Sequence, residues 1–532
     1  MTTWKERGSW GWKKAGRLAF VSLVCLGAGC QTYSERLAPF RGFYGNAQFP
    51  EADAEINRLI ADETGQELET VVSSNGLGDA VDPREGDTDL LLLEKAMVQL
   101  ALGNIADAVS LLNRSRESFD EKIVTSIGDD FWEGFKGTLS DDTSLVYPGA
   151  DYEHLMIRCM LAMTDLLQGG EDAYSYALQI NEKQEEILNS DVAYEQDIPP
   201  DPEAEELAEE LAEEPVEEQE IYGQYSPRQQ YSRIALGAYL EGIIQEANVE
   251  ADSARNSFQR AQEYLGSSNL LATAIDRANL GVYAPAGHGA VHVFYLGGRA
   301  PILEEVEASG GTEIASRIAG VGLGLALGSW SAAMQAPVVV PQVQVMDEVV
   351  YPLEVSVDGG DPVETEIVLD VNAVALEQGE ANLPVVIARA VVRRSVKAGI
   401  VGAGEFIAQE GLSHIPYIGM LAKPIAFIGG AIANLIWTGT ENADTRNWSS
   451  LPAQVQVTRF TLEEGVHELL LGQLMSAKVE VKAGHDTFVL VVQPRLDAPG
   501  SVVVDVNSRV EEETVPVPTE PGEFDDVPFQ IN

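Results

Sequence analysis

Apolar positions recur at helical spacing through most of residues 31–280 and then give way to short runs rich in Val and Ile, so the chain reads as a helical half followed by a β-rich half. Three passages of the first half share one design. Asp89 to Ala101 is an apolar helix pattern, Leu102-Gly103-Asn104 a turn, and Ile105 to Glu117 a second helix with Ala108, Leu111, Leu112 and Ser115 on one side. Glu153 to Leu167 and Asp172 to Leu188, joined by Gln168-Gly169-Gly170, repeat the layout, as do Tyr231 to Ala247 and Ala251 to Leu265. From about Pro285 strands are expected at Ala290 to Tyr295, Pro337 to Val345, Val349 to Val357 and Glu364 to Val371, with Gly359-Gly360 as a turn. Four more follow at Ala453 to Leu462, Gly465 to Leu471, Ala477 to Val481 and Thr487 to Gln493. Between the strand groups, Pro384 to Trp437 is a Gly/Ala-rich, helical stretch. Its most apolar part, Pro424 to Trp437, is shorter than the roughly 18 to 20 residues of a membrane span, which favours burial within the protein.

A helix, a short turn, then Ala and an aromatic or Leu at helical spacing is the logic of tetratricopeptide hairpins, in which small residues let paired helices approach closely. The expected fold is therefore multidomain, α then α+β: irregular tetratricopeptide-like hairpins, then a mixed β-rich region with a Gly/Ala-rich helical segment and a small β-sandwich-like module. A plain helical bundle is the alternative for the first half. The expected divisions are a leader at 1–29, a helical domain at 30–280 with an acidic insertion at 191–221, a mixed α/β region at 281–452, a β-rich module at 453–500 and an acidic tail at 501–532.

The leader is basic, then apolar from Leu18 to Leu26, and closes on Gly27-Ala28-Gly29-Cys30, the layout of a cleaved secretory signal. A Cys directly after small cleavage residues resembles a bacterial lipobox, in which the thiol of Cys30 is acylated and becomes the mature N-terminus. Gln31 after it resembles lipoproteins sent on to the outer membrane. A lipid on Cys30 leaves Cys159 alone among the mature cysteines, and its apolar neighbours Met156, Ile157, Met160 and Leu161 make it a small buried hydrophobe.

Charge narrows the partners. Against 84 acidic residues stand 34 Lys and Arg, a net charge of −50, so binding to nucleic acid through a basic patch is excluded as a class. The insertion at 191–221 holds fourteen of the acidic residues and four prolines, and reads as solvated chain.

Catalytic and metal motifs are incomplete or missing along the chain. His288 and His292 are four apart, but their setting is a turn entering a strand, where that spacing separates the side chains by about 13 Å. Gly320, Gly322 and Gly324 lack the strand-turn-helix frame of a nucleotide loop. No nucleophile elbow, P-loop or zincin motif is present. No catalytic residue, metal or cofactor is expected.

Several strings are similar to an uncharacterised bacterial envelope lipoprotein family with tetratricopeptide-like repeats. They are Tyr152-Glu153, Gly297-Gly298-Arg299-Ala300-Pro301, Ala388-Arg389-Ala390 through Arg393, Arg394 and Lys397, and the run from Ala443-Asp444-Thr445-Arg446-Asn447-Trp448 to Ser449-Ser450-Leu451-Pro452. The acidic insertion and tail depart from that pattern. The resemblance implies an envelope location and carries no active site. It points to a non-enzymatic scaffold, lipid-anchored and facing the periplasm, that takes an envelope protein partner through its hairpins in cell-envelope or peptidoglycan assembly. The alternative is a binding protein for an envelope polymer or apolar ligand. Two candidate clusters follow. Asp444, Arg446 and Trp448 alternate to one face of an extended segment, as a structural pair beside an indole or as a ligand clamp. Arg393, Arg394 and Lys397 are internal partners for carboxylates or a small anionic site.

Overall fold

A computed structural model describes residues 31–137, 147–196, 233–281, 283–308, 338–346, 348–379 and 443–510. Cys30, Arg393, Arg394, Lys397, the Gly/Ala-rich stretch and most of the acidic insertion lie outside the described residues.

The helical half comprises α1 (Tyr33–Gly45), α2 (Phe49–Thr64), α3 (Leu68–Ser73), α4 (Thr88–Ala101), α5 (Ile105–Gly137), α6 (Asp151–Gln168), α7 (Ala173–Gln196), α8 (Ala235–Ala247), α9 (Ala251–Leu265) and α10 (Asn269–Leu280). The expected pairs α4/α5, α6/α7 and α8/α9 pack against each other, and each pair also touches the next. α1 and α2 add a pair that precedes them. Capping sets the first boundary: Thr32 Oγ1 accepts from Glu35 N–H while the Glu35 carboxylate accepts from Thr32 N–H, both at 3.2 Å. α4 is buried along its whole length, which is why its sequence is apolar with little periodicity. α9, by contrast, buries only Ala254, Ser257, Phe258 and Ala261, one stripe of a surface helix.

The β half is a two-layer stack. One sheet has the order β11-β10-β1-β7-β6 and the other β5-β4-β8-β9, with a separate hairpin of β2 and β3. The strands are β1 (His288–Gly297), β2 (Ile302–Ala308), β3 (Val338–Gln344), β4 (Glu354–Val357), β5 (Val363–Glu364), β6 (Glu366–Asp370), β7 (Gln454–Glu463), β8 (Gly465–Leu471), β9 (Met475–Val481), β10 (Asp486–Gln493) and β11 (Ser501–Val504). Central β1 runs parallel to β10 and antiparallel to β7. Gly289 admits this crossing, since a Cβ there would lie 2.5 Å from the Lys482 carbonyl oxygen. Val291, Val293 and Tyr295 face the second sheet and pack with Val355, Leu469, Leu471, Val479 and Val481. Phe294 and Leu296 face the opposite way, into the core shared with the helices. The order of layers is thus helices, five-stranded sheet, four-stranded sheet.

Three expectations change. The tail does not begin at 501: Ser501–Val504 is β11, paired with β10, and Arg509 bridges to Val479 of β9. The 453–500 stretch is not a separate module: β7 and β10 flank β1, and β8 pairs with β4, so 281–452 and 453–500 share one sandwich. The strand expected over Val349 to Val357 pairs only from Glu354, because residues 348–353 cross towards β7, where Thr365 and Gln456 meet them. Among the described residues no helix is long and apolar enough to cross a membrane.

Candidate functional site

Residues 443–452 form an extended strap that runs across α1, α4, α6 and the β2–β3 hairpin before entering β7. Three consecutive backbone N–H groups of the strap meet two carboxylates that have no solvent exposure. Trp448 N–H donates to Glu153 of α6 at 2.7 Å; Ser449 N–H and Ser450 N–H donate to Glu94 of α4 at 2.7 and 2.9 Å. The Ser449 hydroxyl donates to Glu94 as well, at 2.7 Å. Glu153 also accepts from Ala150 N–H at 2.9 Å and from the Tyr147 hydroxyl at 2.7 Å, so it closes the first turn of its own helix while holding the strap. Further along, Ser34 N–H donates to Thr445 Oγ1, Ala443 N–H to Glu305, and the Asn447 amide to the Pro301 carbonyl.

Burial dominates the electrostatics. It raises Glu94, against the hydrogen bonds from Ser449 and Ser450 that favour the carboxylate. Burial pushes Glu153 up to about 7, with the charge of Glu94 acting in the same direction and the bonds from Ala150, Trp448 and Tyr147 opposing it. Beside it, burial pushes His154 down to about 4; its Nε2–H donates to the Pro148 carbonyl, which fixes a neutral tautomer.

The structure brings Asp444 and Arg446 together and sends Trp448 elsewhere. The Arg446 guanidinium donates to Asp444 at 2.8 and 2.7 Å and to Asp87, before α4, at 3.0 Å. Burial works against its charge, but the bonds to Asp444 and the charges of Asp444 and Asp87 prevail and hold its pKa above the ordinary value. The ring under the guanidinium is that of Tyr147, 5.2 Å away, and the Trp448 indole is fully buried in the core. Through Asp87 and Tyr147 the Asp444–Arg446 pair fastens the strap to the helical half. Arg446→Ala is therefore expected to lower stability by about 2 kcal/mol, less than the roughly 3 to 5 kcal/mol of a fully buried pair, because Asp87 and Asp444 keep access to water. An unchanged melting curve would return these residues to the role of a ligand clamp.

A second polar cluster plugs the sheet against α8 and α10. His292 lies 3.1 Å from Asp486, which also accepts from the Tyr283 hydroxyl; Arg459 donates to the Tyr283 carbonyl. Arg277 pairs with Glu246 nearby at 2.8 Å. Burial lowers His292, so the Asp–His contact is held by a neutral ring. Its other nitrogen, Nδ1, has no partner among the described residues, and no nucleophile stands against it there. Cys159 is fully buried, and burial raises its thiol far from the range of a reactive thiolate. Among the described residues no group of three or more His, Cys, Asp or Glu side chains is placed to hold a metal ion. An open cleft of about 320 Å³ lies at Asn104, Asp107, Gln168 and Arg509.

The strap is legible in the sequence, but its acceptors are not. Glu94-Lys95 in the run from Leu90 to Met97 is the available signal: two adjacent charges inside an otherwise apolar helix need partners. Lys95 finds them in Asp53 and Asn57, at 3.0 and 2.6 Å.

Compared with protein-family models, with curated proteins and with solved structures, the chain matches none.

Proposed function

We propose that the protein is a lipid-anchored, non-enzymatic scaffold of a bacterial cell envelope, attached through Cys30 to the periplasmic face of the outer membrane. On this reading it is related to the envelope lipoproteins with tetratricopeptide-like repeats that its sequence resembles, and it serves cell-envelope or peptidoglycan assembly. The observation that carries the reading is a pair of apolar stripes left open on outer helices. Leu68 and Val72 on α3 are 46% and 53% exposed, and Tyr174 and Leu178 on α7 are 41% and 40% exposed. Each pair is spaced i, i+4 and so lies on one side of its helix, where one partner can reach both side chains.

Photo-crosslinking residues at Val72 and Leu178 are expected to trap a discrete protein adduct in intact cells, while Lys478 on the second sheet is expected to trap none. Adducts to glycan in place of protein, or none at any position, would overturn the scaffold. Attachment has its own test. Cys30→Ser is expected to move the protein from the membrane to the soluble fraction, because two or three acyl chains anchor stably and a bare thiol does not. Mass spectrometry of the mature N-terminus checks the same point.

A further inference from the structure

α2 and α4 meet across a small polar cluster. Asp53 and Asn57 lie one turn apart on α2, and Lys95 and Gln99 one turn apart on α4. The Lys95 side chain has no solvent exposure, and Gly76 covers its stem so closely that a Cβ there would come within 3.4 Å of Cδ. Lys95 Nζ donates to Asn57 Oδ1 at 2.6 Å and to Asp53 Oδ1 at 3.0 Å. The buried Asn57 amide in turn donates from Nδ2 to Asp53 Oδ2 at 3.0 Å. An ammonium has only donors and a carboxylate only acceptors, so these contacts admit one orientation of the amide, with its carbonyl to Lys95 and its nitrogen to Asp53. Gln99 steadies the carboxylate by donating to Asp53 Oδ1 at 2.6 Å, and Asn104 holds Gln99 at 2.8 Å.

The three side chains stand as a nucleophile, an acyl carbon and a proton carrier that reaches both nitrogens. Asn57 Cγ is one C=O bond of about 1.23 Å beyond Oδ1, so the amine is no more than about 3.8 Å from that carbon, close to the roughly 3 to 3.5 Å of a near-attack pair. Burial lowers the pKa of Lys95, against the charge and hydrogen bond of Asp53, and so favours the neutral amine that attacks. Asp53 keeps contact with water, which gives a leaving group a way out.

We propose that the folded chain joins Lys95 to Asn57 by an isopeptide bond, with Asp53 as the catalytic residue. Asp53 takes one proton from the Lys95 ammonium, and the freed Nζ attacks Asn57 Cγ. As the Cγ–Nδ2 bond breaks, Asp53 returns that proton to Nδ2 and takes the second from Nζ. Nδ2 leaves as ammonia, Nζ keeps one hydrogen as a secondary amide, and Asp53 releases its proton to water. The product replaces a buried ammonium by a neutral amide, and the ammonia is lost to solvent, so the reaction runs forward. The bond fastens the first helix pair to the second without sulfur. It does not depend on attachment at Cys30, and its failure leaves the scaffold reading standing.

The test is a tryptic map of the full-length chain, digested after denaturation. Lys95 as an amide resists trypsin, so residues 42–58 are expected to remain joined to residues 85–114, in a species lighter than those two peptides together by one ammonia. Free peptides 42–58, 85–95 and 96–114 at their full masses would overturn the bond. Lys95→Met, which removes the nucleophile, and Asp53→Ala, which removes the proton carrier, are both expected to release 42–58 as a free peptide, with circular dichroism reporting retained helix. The joined species persisting in folded Lys95→Met would place the link on another lysine, and persisting in folded Asp53→Ala would remove Asp53 from the reaction; either result overturns the proposal.

Discussion

Glu94→Ala is expected to cost about 4 kcal/mol, enough to remove a large part of the roughly 5 to 15 kcal/mol by which folded domains are stable. The reason lies in the donors it leaves behind. Ser449 N–H, the Ser449 hydroxyl and Ser450 N–H all end on this one carboxylate, which has no solvent exposure, and each donor stranded there carries a penalty of about 1 to 3 kcal/mol. Removing a buried carboxylate recovers its desolvation, so the net loss is smaller than the sum of three stranded donors. Glu94→Gln separates the contributions, since it keeps one oxygen to accept and places an NH2 where the other oxygen received a donor. About half the loss is expected for it. Denaturant unfolding of both variants measures the energies, and hydrogen exchange at Ser449 and Ser450 places the damage. An alanine variant within about 0.5 kcal/mol of the wild type, the usual range of a surface change, would show that the strap does not hold the helices to the sheet.

The elements that were legible in the sequence are those whose signals are local. β8 has the expected limits, Gly465 to Leu471, because glycines bound it and its inward positions alternate through Leu469 and Leu471. α9 likewise has the expected limits, since its single apolar stripe is a helix-period signal. Pairing between distant strands was not legible. β1 and β10 are nearly 200 residues apart, and a strand buried on both faces gives an apolar run that does not name its neighbours. This is why 453–500 read as a module of its own when its partners lie in 288–297 and 354–370.

The site divides in the same way. Asp444 and Arg446 were legible as a pair because two residues along an extended chain share a face and opposite charges meet there. Trp448 fits the same alternation, but the indole is better buried than stacked on a cation, and Tyr147 takes that place. The acceptors of the strap lie some 300 to 350 residues away, and in a chain with 84 acidic residues no spacing marks Glu94 and Glu153 as the two that meet the strap. The intrusion of charge into apolar α4 hints at Glu94, and Glu153 stands in the string Tyr152-Glu153 without a role attached to it.

Glu153→Gln is expected to remove a component of pH dependence that the wild type carries. In the unfolded chain Glu153 titrates near the ordinary 4.5, whereas in the folded protein burial holds it near 7. Between those values the folded chain keeps a proton that the unfolded chain has lost, so raising the pH through this window favours unfolding. The contribution is fully present below 4.5, is gone above about 7, and amounts to about 3 kcal/mol at roughly 1.4 kcal/mol per unit. His154 opposes it. Its imidazole falls from 6.5 to about 4 on folding, so over that range the unfolded chain holds the extra proton and raising the pH favours folding. The two slopes act against each other in the wild type, and the measurement is therefore a difference. The stability of the wild type minus that of Glu153→Gln, from urea unfolding at a series of pH values, is expected to fall by about 3 kcal/mol between pH 4.5 and 8, because His154 is common to both proteins and cancels. A difference that stays level would mean that the donors from Trp448, Ala150 and Tyr147 keep Glu153 ionised throughout, and that the strap rests on a buried charge in place of a neutral acid.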